Sequence, residues 1–197
     1  MKFSNGIEIE EYNTVDTECI AVIGCLKTNK GMKILQELLS WVPNKFHTYI
    51  VYQDPPGKLF EYPAMKWAKD VAALFNKPVM YIHTKGAVYD RIETVWVRNN
   101  WKDFYLNNYE WIMKNLAKQN AVCCLFTGKT KVPWFNSFIA TPDAWEKTKI
   151  KMSNDRYYFE QGIWKETDCN VIGLRANDRN VPEDMWTYMT QYFRGMK

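Results

Sequence analysis

The sequence predicts an α/β fold, a mixed, mostly parallel sheet of about six strands flanked by helices. Short apolar runs of strand length, helical segments with one apolar face between them, and turn residues at the joins carry that expectation. Over the first 86 residues these alternate as strand, helix, strand, helix, strand. That order points to parallel strands, because parallel neighbours need a long crossover rather than a hairpin.

The N-terminal stretch Met1 to Asn13 is polar and acidic, without an apolar signal core. Glu18 to Gly24 is an apolar run and reads as a buried first strand. A helix follows from Lys30 to Val42, where Leu35, Leu38, Leu39 and Val42 fall on one face and Pro43 closes the segment. His47 to Gln53 is the second strand, ended by the turn Asp54-Pro55-Pro56-Gly57. Glu61 to Asn76 places Met65, Ala68, Ala72 and Phe75 on one helical face, and Lys77-Pro78 breaks into a third strand beginning at Val79.

Two helices, Tyr89 to Asn107 and Asn108 to Gln119, fill the middle, with Asn107 and Glu110 as a capping box that restarts the second. Ala121 to Phe126 and Trp134 to Ala140 are the fourth and fifth strands, separated by a turn at Thr127-Gly128-Lys129. Thr141-Pro142 reads as an N-cap with proline at the first helical position. Asp155 to Glu166 is a short helix, Cys169 to Leu174 a sixth strand, and Asn180 to Arg194 a last helix closed by Gly195. Without an internal repeat or linker, residues 1–197 form one domain.

Composition narrows the function classes. A formal charge of +4 with interspersed acids does not demand nucleic acid, and no apolar run is long enough for a membrane span. Five cysteines, an odd number without a Cys-x-x-Cys pair or zinc spacing, read as reduced and mostly buried, so a cytoplasmic protein is expected. Nine Trp, twelve Tyr and ten Phe provide flat surfaces that suit sugar rings or bases, although core packing accounts for most of them equally well.

The chemistry gathers where strands end. Val79-Met80-Tyr81-Ile82 closes in His83-Thr84-Lys85-Gly86, which sets an imidazole, a hydroxyl and an ammonium at a sheet's carboxyl edge, a combination suited to an anion such as a diphosphate. A plain surface turn is the alternative. The sequence has neither a G-x-G-x-x-G nor a P-loop; Gly24 and Gly31 bracket the first strand–helix turn at the wrong spacing. Further polar clusters lie at Asp90-Arg91 to Arg98, at Asn136-Ser137, and at Arg156 with Glu160. Arg91 and Arg98 stand seven residues apart and share a helical face.

Taken in order, Tyr81-Ile82-His83-Thr84-Lys85-Gly86, a helix with Trp96, Arg98, Trp101 and Phe104, then Trp134-Phe135-Asn136-Ser137-Phe138-Ile139-Ala140, and Arg156 followed by Glu160, the chain resembles small GT-A-like glycosyltransferases of bacterial polysaccharide loci and large DNA viruses. The resemblance covers about residues 18 to 175. It implies a GT-A-like, Rossmann-related fold and transfer of a sugar from a nucleotide-diphosphate donor to a glycan or glycosylated acceptor in polysaccharide biosynthesis. Residues 18–86 would be the nucleotide-binding half and 87–197 the acceptor half. Donor contacts would come from His83, Thr84, Lys85, Gly86, Asp54, Arg91 and Arg98. Trp134, Asn136, Ser137 and Trp164 would meet the sugar or acceptor, and Glu160 would be the base.

Where most GT-A enzymes carry a metal-binding Asp-x-Asp, this chain has His-Thr-Lys, and no Asp-x-Asp occurs anywhere. The resemblance thus leaves a divalent manganese or magnesium ion open, with Lys85 as the alternative counter-charge to the leaving diphosphate. His83 with Asp90 is a further metal-binding alternative, too poor in ligands to stand alone. A non-catalytic nucleotide- or glycan-binding module with the same fold is the second reading.

Overall fold

A computed structural model describes residues 6–55, 59, 61–85, 87, 92–127, 132–133, 136–153, 155 and 158–176. The elements in chain order are β1 (Ile7–Glu11), β2 (Ile20–Leu26), α1 (Asn29–Leu39), a 3-10 turn (Val42–Asn44), β3 (His47–Gln53), α2 (Tyr62–Phe75) and β4 (Val79–His83). Then come α3 (Ile92–Asn107), α4 (Tyr109–Leu116), β5 (Ala121–Thr127), β6 (Phe138–Ala140), α5 (Pro142–Lys147), a π-helical turn (Tyr158–Gly162), α6 (Ile163–Lys165) and β7 (Asn170–Ala176). The expected helix from 180 to 194 lies outside the described residues.

The seven strands among the described residues form one sheet in the order β1-β3-β2-β4-β6-β5-β7. The expectation of an α/β fold with helices flanking a mixed sheet holds, while "mostly parallel" and "about six strands" are corrected. β2 pairs in parallel with β3 and β4, and β5 with β7. β1–β3, β4–β6 and β5–β6 are antiparallel. The additional strand is β1, whose alternation Ile-Glu-Ile-Glu turns Ile7 and Ile9 onto the core while its acids edge the sheet. β6 is only three residues long because Asn136, with φ 54°, breaks the extended run that the sequence suggests from Trp134.

Strand alternation divides the core between the two faces of the sheet. Ile23, Met80, Ile82, Cys123 and Ile139 pack under α1, α3 and α4 with Leu35, Leu38, Trp101 and Ile112. Val22, Tyr81, Cys124 and Phe138 pack under α2 and α5 with Met65, Ala68 and Trp145. All five cysteines are unpaired thiols, and four are buried.

Local chemistry sets the helix ends. Thr28 caps α1, its hydroxyl accepting from Gly31 N at 2.9 Å. Thr141 caps α5 and takes Ala144 N at 3.4 Å, with proline at the helix start. α2 ends at Asn76 in the left-handed conformation, φ 50°. The expected capping box at Asn107 is not formed: α3 runs through Asn107, the N-cap is Asn108, and the Asn108 amide donates back to Phe104 O at 3.3 Å.

One topological feature positions the site. From β2 the chain crosses through α1 to β3 on one side, then returns through α2 to β4 on the other. The order therefore reverses around β2, and the carboxyl ends of β2 and β4 lie side by side there, with α1 and α3 on one face of the sheet and α2 on the other, at the edge where open α/β sheets hold ligands.

Candidate functional site

At this switch point β2 and β4 run in register, with Gly24 opposite His83. A methyl group on Gly24 would lie 3.1 Å from the Ala64 Cβ and 3.5 Å from that of His83, so glycine lets α2 close onto the strand end. Thr84 ties the two strands past the ladder. Its amide donates to Gly24 O at 2.9 Å, and its hydroxyl accepts from Leu26 N at 3.4 Å. Thr84 is buried, so it serves as a staple for the strand ends rather than a solvent-facing donor contact.

His83 is joined by a residue that the sequence did not single out. Glu61, the N-cap of α2, places Oε1 3.6 Å from His83 Nδ1, with 18% of its side chain exposed against 15% for His83. The other carboxylate oxygen, Oε2, accepts from Asn136 Nδ2. Asn136 is fully buried, and its Oδ1 has no hydrogen-bond partner among the described residues. The His83 ring stacks on Tyr81 at 6.0 Å and 6°, and tilts toward Trp101 at 5.9 Å. Glu61, His83 and Asn136 thus converge from α2, β4 and the loop before β6.

Other expected site residues have different surroundings. The guanidinium of Arg98 spans Glu37 on α1, at 3.0 and 3.1 Å from Nε, and accepting carbonyls of Lys85 at 2.8 Å and Thr94 at 3.3 Å. At 6% exposure its guanidinium is taken up by Glu37 and two carbonyls, and it clamps the backbone beside Lys85. Ser137 is likewise buried, its Oγ 2.7 Å from Tyr105 Oη on the α3 face. Trp164 is 2% exposed and packs edge-on against Phe138 and Trp145, so its ring faces are covered and offer no wall for a sugar.

Asp54 is exposed at the end of β3, 3.9 Å from Lys27, whose ammonium also pairs with Glu8 at 2.7 Å. The Glu8 hydrogen bond, supported by the charges of Glu8 and Asp54, raises the Lys27 pKa above its ordinary value. Gly86, Asp90, Arg91, Trp134 and Arg156 lie outside the described residues. So does the Glu160 carboxylate, although its backbone forms part of the π-helical turn Tyr158–Gly162.

Comparison with protein-family models, curated proteins and solved structures gave no match. The functional reading therefore stands on geometry and residue chemistry.

A divalent metal does not fit the described donor set. Among the described residues no three His, Cys, Asp or Glu side chains gather closely enough to hold one, and the strand end carries a lysine. Among those residues, too, no helix is long and apolar enough to cross a membrane.

Proposed function

We propose that the chain is a nucleotide-sugar-dependent glycosyltransferase of the GT-A-like type, moving a sugar from a nucleotide-diphosphate donor to a glycan or glycosylated acceptor in cytoplasmic polysaccharide biosynthesis. The observation that carries this reading is the gathering of Glu61, His83 and Asn136 at the carboxyl ends where the strand order reverses. The diphosphate would lie along His83-Thr84-Lys85, with the Lys85 ammonium offsetting charge on the leaving oxygens. Asp54, at the same edge, is suited to the donor's ribose or base through its exposed carboxylate. Glu160 is the proposed proton acceptor for the attacking hydroxyl. Its turn packs on the α2 face of the sheet through Phe159.

The test is product formation from a panel of nucleotide sugars with glycan acceptors, alongside donor binding by calorimetry. Turnover of at least one donor is the expected result. Saturable binding without turnover or hydrolysis would instead make the chain a nucleotide- or glycan-binding module of the same fold.

A further inference from the structure

Glu61 is a carboxylate largely removed from water, and such a group stays ionised where donors and positive charge compensate the lost hydration. Asn136 provides a donor. It is an amide on a fully buried residue with φ 54°, and its Nδ2 points at Oε2. The His83 ring, with Nδ1 3.6 Å from Oε1, is placed to provide the charge. An ionised carboxylate at that distance favours the protonated imidazole over the neutral ring.

Among the described residues, β2, α3 and β4 also stand beside His83. β2 contributes Gly24 and α3 the uncharged indole of Trp101. β4 contributes Tyr81, whose ring face is favourable to a cation, and two residues further along, Lys85, the positive charge that opposes a second one.

We infer that Glu61 holds His83 as an imidazolium, and that His83 and Lys85 together supply at the end of β4 the positive charge that a divalent metal supplies in metal-dependent transferases. The inference rests on the transferase reading and deepens it. In the reaction, the acceptor oxygen forms its bond to the anomeric carbon as the bond from that carbon to the diphosphate oxygen breaks. The electron pair stays on the diphosphate, to which the imidazolium donates a hydrogen bond without giving up its proton. The acceptor's proton passes to the base. His83 is then a catalytic residue, and Glu61 and Asn136 are positioning residues.

The chain has two histidines, so the imidazole signals of the full-length protein can be assigned by NMR with a His47→Gln variant. The expected result is a His83 ring still protonated at pH 7, and a titration that moves down by about one pH unit or more in Glu61→Gln, which keeps shape and removes charge. In activity assays, turnover should persist in chelator and decline as pH rises through the His83 titration. The decline should begin at lower pH in Glu61→Gln, and His83→Gln should lower kcat by about 10- to 100-fold.

A neutral His83 at pH 7 in the native chain, or turnover abolished by chelator and restored by manganese, overturns this inference and leaves the transferase reading intact. A chain that turns over none of the donors loses both.

Discussion

At Gly31, the third residue of α1, an added Cβ would lie 2.0 Å from the Leu26 carbonyl oxygen, a backbone atom that cannot swing aside. Gly31→Ala should therefore cost about 1–3 kcal/mol, read as a lower urea midpoint, because the first turn of α1 must lift from β2. An unchanged midpoint would mean that this turn shifts freely. Lys85→Ala tests the strand end itself. Losing one charged contact to a diphosphate should weaken donor binding about tenfold or more in calorimetry, with the urea midpoint almost unmoved. The His83 and Lys85 positions were legible because an apolar run stops abruptly at polar residues. Glu61 was not, since it looks like an ordinary helix-start acid and meets its Asn136 partner across 75 residues of sequence. Only the folded sheet brings them together.

The helix α3 shows how a residue on an expected element can be taken up by partners that the sequence does not reveal. Its end at Asn107 agrees with the sequence reading, in which Arg98 reaches a ligand; in the fold the planar fork of Arg98 joins α1, α3 and the turn at Lys85. Arg98→Ala should destabilise by roughly 1–3 kcal/mol, a range kept modest because 38% of the Glu37 side chain meets solvent. It should also weaken donor binding without any contact to the donor, since the Lys85 backbone loses its clamp. Arg98→Lys should recover little of either quantity, because a single ammonium cannot hold Glu37 and two carbonyls in a plane. Full recovery in the lysine variant, by urea unfolding and calorimetry, would show that charge alone suffices. β1 was missed for a related reason. Its acids outweigh its two isoleucines in a composition-based reading, yet Glu8, Glu10 and Glu11 are satisfied by Lys27, Tyr52, and His47 with Tyr49.

Across the whole molecule, the parallel half of the sheet was legible because each crossover leaves a strand, a helix and a turn in sequence order. The second half was not, since β6 is too short to announce its direction and its antiparallel place between β4 and β5 is set by pairing alone. The reduced, buried cysteines were anticipated and have a consequence for the entire fold. Burial pushes Cys25 and Cys169 up to about 11 and Cys123 to about 12 from an ordinary 9.0, and Cys19 and Cys124 upward as well. Burial first, then the charge and hydrogen bond of Glu11, raises Tyr49 to about 12 from 10.0, and burial raises Tyr105 too. Each group keeps its proton in the folded chain at a pH where the unfolded chain releases it, so the unfolded state gains free energy from rising pH and the folded state does not. This contribution to stability is complete below the unfolded thiol value near 9.0 and is lost progressively toward the folded values of about 11 to 12. Urea unfolding should accordingly show a midpoint that falls steadily between about pH 9 and about pH 10.5. Replacing Cys123 with alanine should flatten part of that decline while costing packing at neutral pH. A midpoint that holds level to about pH 10.5 would mean that these thiols and phenols ionise in the folded chain as readily as in the unfolded one.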